Sequence, residues 1–241
     1  MPSTAAAPDQ IRIQSIFNRL SDRYNLFNRL TSFGLDGYWR SKALKPLKTG
    51  MRVLDLGCGT GDLSLEVAKR LQGNGEVVGL DFSENMLAVA RQCALKMGVF
   101  SENKTLRFEQ RRAEDLPFEK EPYDLVLSAF VLRNIYENID SILQGIYDSL
   151  KTGGEISLLD FTEPPNPFLK KMWQTYMNTV AAFYGKLLFG KDFPLFYMTD
   201  SAERFLKAPE FAQKLEQTGF KNITVKKFMS GIIVLYQAKK Y

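Results

Sequence analysis

The sequence predicts an α/β fold: a doubly wound, seven-stranded, mostly parallel sheet with added helical lid elements. Three observations carry this. Apolar runs at 51–56, 76–81, 104–109, 123–129 and 154–161 alternate with helical periods at 62–72, 84–97 and 137–150. Such alternation builds parallel strands joined by crossover helices. A glycine turn, Gly57-Cys58-Gly59-Thr60-Gly61, separates the first strand from the first of those helices. Two last runs, 220–228 and 231–239, meet around Ser230-Gly231 and read as a closing hairpin.

In chain order, residues 1–8 are small, polar and proline-bearing and read as a loose tail. Ile13, Ile16, Phe17, Leu20 and Tyr24 follow helical spacing, continued by Leu26, Phe27 and Leu30. Ser21 and Asp22 interrupt and re-cap that helix; Gly34 and Gly37 break it. Tyr38 to Leu47 reads as a short amphipathic helix. This section is aromatic-rich (Phe17, Tyr24, Phe27, Phe33, Tyr38, Trp39), which fits either core packing or a lid over an apolar pocket. In the helix at 137–150, Ile139, Ile142, Leu143, Ile146, Tyr147 and Leu150 share one face, and Thr152-Gly153-Gly154 stops it. Pro164, Pro165 and Pro167 end the fifth strand. An aromatic- and methionine-rich helical segment follows, with Met172, Trp173, Tyr176, Met177, Phe183 and Tyr184, and then a loop-like stretch with Phe189, Phe193, Phe196 and Tyr197. Pro209 to Thr218 is helical, and Gly219 ends it. The expected organisation is one domain over 1–241: a helical cap at 1–50, a cofactor-binding core at 51–162, an apolar insertion at 163–206, and a closing helix and hairpin at 207–241.

Composition narrows the chemistry. The chain has 241 residues, 45% hydrophobic and 24% charged, with net charge +5 and pI near 9.1. This basicity suits an anionic partner such as a membrane surface or nucleic acid, and equally an ordinary surface. There is no histidine. His bases, His-containing triads and most zinc-enzyme sites are thereby excluded, and no metal is expected. The two cysteines, Cys58 and Cys93, have no metal spacing and suggest a reducing compartment. Residues 1–10 lack a basic start followed by an apolar core, and no window holds the roughly 18–20 apolar residues of a membrane span. The expectation is a cytoplasmic protein that touches a membrane only peripherally.

The glycine turn decides between cofactors. A P-loop ends in Gly-Lys-Ser/Thr, whereas this turn continues Gly61-Asp62-Leu63. Dinucleotide sites use G-x-G-x-x-G, whereas here the spacing is Gly57-x-Gly59-x-Gly61. Asp55 precedes the turn; its carboxylate repels a pyrophosphate and attracts an ammonium group. Asp81 ends the second strand, placed to bind a ribose diol. An acid-flanked turn with an acid for ribose fits S-adenosylmethionine, a sulfonium without phosphate.

Several stretches then resemble the ubiquinone/menaquinone biosynthesis C-methyltransferase family, which are class I, Rossmann-like, S-adenosylmethionine-dependent methyltransferases. They are Ile16-Phe17-Asn18-Arg19-Leu20, Arg23-Tyr24-Asn25, Asn28-Arg29-Leu30, Ser32-Phe33-Gly34-Leu35-Asp36 and Leu54 to Asp62. Gly79-Leu80-Asp81-Phe82-Ser83, Ala113-Glu114-Asp115-Leu116-Pro117-Phe118 and Ala129-Phe130-Val131-Leu132-Arg133-Asn134-Ile135 extend the match. The resemblance implies methylation of a ring carbon on a polyprenylated quinol. It places the cofactor against Thr60, Asp81, Arg112 and Ala113, and the full set expected to bind it adds Asp55, Gly57, Gly59 and Gly61 of the turn with Phe82, Met86, Glu114 and Ala129. It places the quinol ring and proton removal at Tyr24, Arg133 and Asn134.

Two departures stand out. The family usually has an acid or amide where this chain has Arg112, and arginine offers adenine no acceptor, which leaves backbone groups, Glu114 or Asp115. Family histidines after the fifth strand and in the last strand are replaced in Tyr176-Met177-Asn178-Thr179 and Val234-Leu235-Tyr236. Arg133 stays protonated, so it suits phenolate stabilisation better than proton abstraction; Asp160 is the alternative base, or a capping carboxylate. The implied partners are a lipophilic quinol, a membrane surface and a second copy in a homodimer; acids mixed among the bases argue against nucleic acid. The competing readings are a methyltransferase for another small phenol or amine, and a non-catalytic cofactor-binding member of a quinone-synthesis complex.

Overall fold

The computed structural model describes residues 15–99, 105–190, 193 and 197–241. The expected tail at 1–8, Ile13 and Phe196 lie outside them. Seven strands form one sheet in the order β3-β2-β1-β4-β5-β7-β6. They are β1 (Arg52–Leu56), β2 (Glu76–Asp81), β3 (Leu106–Gln110), β4 (Tyr123–Ala129), β5 (Leu150–Phe161), β6 (Lys221–Phe228) and β7 (Ile233–Lys239). The first five are mutually parallel, and β7 runs antiparallel to both neighbours.

The continuous apolar runs follow from burial on both faces of the sheet. Val53, Val77, Leu125 and Leu235 pack on one face, beneath α3 (Leu35–Ala43), α4 (Asp62–Leu71) and α5 (Glu84–Lys96). Their sequence neighbours Leu54, Val78, Val126 and Val234 pack on the other, beneath α6 (Ile139–Ser149) and α10 (Ala208–Thr218). α6 ends at Ser149, before the glycines expected to stop it, because Leu150 already pairs with Tyr123 across an irregularity in β4.

The N-terminal section is a helix over 15–20 (α1), a 3-10 turn at Ser21–Arg23, and α2 (Tyr24–Thr31). The interruption falls at the expected Ser21-Asp22. Gly34, at φ 77, separates α2 from α3, but Gly37 lies inside α3 rather than breaking it. A Cβ at Gly37 would stand 3.0 Å from the Arg29 guanidinium, so the small residue admits that side chain. The insertion comprises α7 (Pro167–Tyr176), a π-helical turn at Met177–Ala181, α8 (Ala182–Phe189) and α9 (Tyr197–Arg204). Asn166 caps α7 by accepting from Leu169 N–H at 2.8 Å. Tyr197, expected in a loop, begins α9. No helix among the described residues is long and apolar enough to cross a membrane.

Candidate active site

Strand order reverses between β1 and β4, so the loops after β1, β2, β3 and β4 meet at one sheet edge, where α/β sheets bind ligands. A cavity of about 1000 Å³ opens there. Asp55, Gly57, Gly59 and Thr60 line it from the first loop, and Asp81, Phe82 and Met86 from the second. Arg112, Ala113 and Glu114 line it from the third, and Ala129 and Asn134 from the fourth.

Gly61 stands outside this lining. It sits at φ 85, and a Cβ there would stand 3.0 Å from Ala90 and 3.2 Å from Phe108, so its role is packing at the start of α4. Gly57, at φ 70, is equally closed: its Cβ would fall 2.5 Å from Val131. Gly59, at φ 55, has nothing within 4 Å, making it the point where backbone meets open cavity.

Two buried acids organise the floor. Asp81 accepts Gly59 N–H at 2.9 Å through Oδ2 and Ser83 N–H at 2.9 Å through Oδ1. It holds the glycine loop and keeps lone pairs for a ligand hydroxyl. Asp55 accepts the Ser64 hydroxyl at 2.5 Å. Burial raises each carboxyl to about 6. For Asp55 the Ser64 hydrogen bond and the charge of Arg40 oppose the rise. For Asp81 the backbone N–H groups of Ser83, Gly59 and Phe82 do so. Burial also pushes the Cys58 thiol well up, which keeps it protonated and unreactive.

The N-terminal section is latched onto this floor. Asn25 accepts from the Thr60 hydroxyl at 2.5 Å and donates to Asp62 at 2.9 Å. Asn18 accepts from the Ser83 hydroxyl at 2.5 Å, and its carbonyl accepts from Asn85 at 3.2 Å. The motif asparagines therefore tie the cap to the first two loops.

A second, more apolar cavity of about 1140 Å³ lies between the cap, the insertion and the closing hairpin. Leu20, Phe27, Trp39, Phe161, Trp173 and Met177 are among its walls. Trp173 and Met177 are also core-packed, and Met177 belongs to the π-helical turn. Phe17, Tyr24, Arg40 and Phe130 line both cavities and mark their junction.

Phe130 holds φ 67, a region costly for a bulky residue. Its N–H donates to Leu159 O at 2.7 Å, and its carbonyl accepts from Arg133 Nη1 at 2.8 Å. Arg133 is buried and lines the second cavity. Its Nη1 also meets Asp160 at 2.7 Å, and its N–H donates to Asp160 at 3.1 Å. Arg133 is thus in a buried ion pair rather than at the surface. Asp160 also accepts Phe161 N–H at 2.7 Å and lines neither cavity. Its geometry is that of a loop-capping carboxylate.

At the third loop, Asp115 turns back to accept Arg112 N–H at 3.0 Å. Glu114, which lines the cavity, accepts from the Asn138 amide at 3.2 Å. Sequence reasoning passed over Arg40, Asp62 and Phe130. A signal existed for the first: Asp36, Arg40 and Ala43 stand at i, i+4 and i+7 of α3, placing a charged pair on a helix face that also buries Ala43.

The residues fit the group expected here. Gly59 leaves room for close approach, Asp81 offers a diol acceptor, Asp55 and Asp62 offer negative charge to a cation, and Phe82 and Met86 offer apolar wall. Fold and floor together define a class I S-adenosylmethionine-dependent methyltransferase. The model of the ubiE/COQ5 methyltransferase family matches residues 5–240, and the chain belongs to that family. It is 34% identical over 221 residues to demethylmenaquinone methyltransferase of Lactobacillus johnsonii, covering 91% of this chain and 88% of the relative. It is 32% identical over 231 residues to the ubiquinone/menaquinone biosynthesis C-methyltransferase UbiE of Geotalea daltonii, covering 95% and 96%. In fold it is similar to magnesium protoporphyrin IX methyltransferase of Synechocystis crystallised with S-adenosylhomocysteine. The TM-score is 0.65 at 19% identity, covering 97% of this chain and 100% of that one.

Proposed function

We propose that the chain methylates a ring carbon of a polyprenylated quinol, in menaquinone or ubiquinone biosynthesis. One observation carries the reading: an acid-floored cavity and a more apolar cavity share Phe17, Tyr24, Arg40 and Phe130, a junction fit for a ring between a cationic donor and a greasy tail. The demethylmenaquinone methyltransferases among its relatives support it.

When bound, S-adenosylmethionine supplies an electrophilic methyl group on a cationic sulfur. The protein's own contribution is orientation, worth roughly 7–11 kcal/mol in favourable cases. The apolar cavity holds the prenyl tail and fixes how far the ring reaches toward the junction. Tyr24 and Asn134 hold the ring oxygen, so that the ring carbon attacks in line with the departing thioether. Arg133, tied to Asp160, holds the Phe130 loop and presents Asn134 to the donor side. A water carries away the proton, because guanidinium does not accept one.

The assay is incubation of the chain with S-adenosylmethionine and a reduced demethylated naphthoquinol or benzoquinol, read by product mass. Gain of one methylene on one head group is the expected result. No methylation of either, with catechols or amines methylated instead, would favour the small-phenol reading; cofactor binding without any turnover would favour the scaffold.

Peripheral membrane contact belongs to the same proposal. Phe33, Met172, Phe183, Leu187 and Met229 are exposed on the cap, insertion and hairpin, and Phe33 and Met229 line the second cavity. Co-sedimentation with anionic liposomes at low salt is expected, and its absence removes the idea. For a homodimer the free edge β6 is a poor seat, because Lys221, Lys226 and Lys227 oppose strand pairing.

A further inference from the structure

The junction holds a cation, Arg40, whose guanidinium has no hydrogen-bond acceptor among the described residues. Arg40 projects from α3 with its side chain only 15% exposed. Among the described residues its guanidinium makes no hydrogen bond, and Nε is buried. Asp36 Oδ2 forms an ion pair with it at 4.0 Å, beyond hydrogen-bonding distance, while Asp36 Oδ1 takes the Ser32 hydroxyl at 3.0 Å and Arg29 at 3.5 Å. The Phe130 ring faces the guanidinium with 5.1 Å between Cζ and the centroid. A guanidinium carries five donors. Leaving them unmade in a partly buried place is costly, and a ligand that supplies acceptors removes the cost.

Other cations nearby are differently placed. Arg133 is committed to Asp160 and Phe130 O, and Arg29 is mostly exposed. Arg40 alone among these three lines both cavities. Asp36, Asp55 and Asp62 stand around it, and its side chain borders both cavities.

We infer that Arg40 is an oxyanion receptor at the methyl-transfer junction, donating hydrogen bonds to an anionic oxygen of a bound ligand. The inference rests on the reading of the two cavities as donor and acceptor sites. Two ligand oxygens have the required chemistry: the α-carboxylate of the cofactor's methionine portion, and the ring oxygen of the quinol as it loses its proton. In either case charge-assisted bonds to a planar fork are the stabilising contact.

The test uses the full chain, Arg40→Gln and Arg40→Lys. Calorimetric titration with S-adenosylhomocysteine is compared with 5′-methylthioadenosine, which keeps the nucleoside and lacks the carboxylate. Initial rates follow over quinol concentration and pH. If the oxygen is the carboxylate, Arg40→Gln weakens S-adenosylhomocysteine about 10- to 100-fold, leaves methylthioadenosine unchanged, and Arg40→Lys recovers part of the loss. If it is the ring oxygen, S-adenosylhomocysteine affinity holds, kcat falls about 10- to 100-fold, and the rate profile moves to higher pH. In both cases ligand-free Arg40→Lys, which keeps the charge beside Asp36, Asp55 and Asp62, melts close to the parent. Affinity and kcat/KM within twofold of the parent overturn the inference. So does equal weakening of both nucleosides with a lowered melting temperature, which marks a structural role. Failure of the parent chain itself to bind S-adenosylhomocysteine or to methylate a quinol removes the functional reading instead.

Discussion

Replacing Arg133 by Ala separates the two roles this residue holds. The Arg133–Asp160 pair spans 2.7 Å, with side chains 3% and 0% exposed. Deleting the guanidinium strands a buried carboxylate, which costs about 3–5 kcal/mol. It also removes the bond from Nη1 to Phe130 O, which helps hold the strained backbone at φ 67. For a chain of this size about 1 kcal/mol moves the melting temperature by roughly 2–4 °C, so a fall of about 6–20 °C is expected. Turnover should drop about 10²-fold, as when a remote change misplaces the reacting groups by about an ångström. The informative comparison is the double variant Arg133→Gln/Asp160→Asn. It removes both charges and keeps an amide oxygen for one of the two backbone donors, the residue-133 N–H on Oδ2 or the Phe161 N–H on Oδ1. Melting temperature should return in part while turnover stays low. Thermal melts and quinol methylation rates are the two readings. A melting temperature within 2 °C of the parent for Arg133→Ala, an effect under about 1 kcal/mol, would refute the ion-pair argument. Full turnover in the double variant would refute a part for the guanidinium in orienting the junction.

Asp55 and Asp81 set a pH signature. Their carboxyls rise from 3.8 unfolded to about 6 folded, so the unfolded chain binds fewer protons between those values. Stability of the ligand-free protein therefore falls as pH rises from 3.8 to about 6, by at most about 3 kcal/mol for each group, and is flat above. S-adenosylhomocysteine affinity should weaken as pH drops through about 6, read by calorimetry; a pH-independent affinity would show that neither carboxylate is engaged as the anion. Asn25→Ala cuts the bonds to Thr60 and Asp62 and should weaken S-adenosylhomocysteine about tenfold, with about 1–2 kcal/mol lost from stability; unchanged affinity would mean the latch does not shape the glycine loop. Gly59→Ala should fold at a cost of about 1–2 kcal/mol yet lose cofactor binding, because its methyl enters open cavity. Gly57→Ala should be the less stable of the two, since its methyl meets Val131; the reverse order of melting temperatures would contradict the assigned packing.

Much of the fold was legible because its determinants are local. The strands of the sheet begin and end close to the apolar runs, since burial on both faces demands continuous Val, Leu and Ile. Where boundaries moved, a pairing across the sheet was responsible. Leu150 joined β5 because Tyr123 lay opposite, and Gly37 stayed helical because Arg29 needed its space.

What the sequence determined by itself was the order of elements, the acid-flanked glycine turn, Asp81 at the end of β2, and the family these imply. All of them are properties of neighbours along the chain, where periodicity and spacing act. Tertiary structure alone decided the rest. It showed that Gly59 rather than Gly61 faces the cavity, and that Asp160 is bound to Arg133 from 27 residues away. It showed that Asn25 latches a loop 37 residues on, and that the Arg40 side chain, where two cavities meet, has no hydrogen bond among the described residues. A charged side chain on a helix reads the same whether water or a ligand satisfies it. Only packing removes the water, and only then does the missing partner become visible.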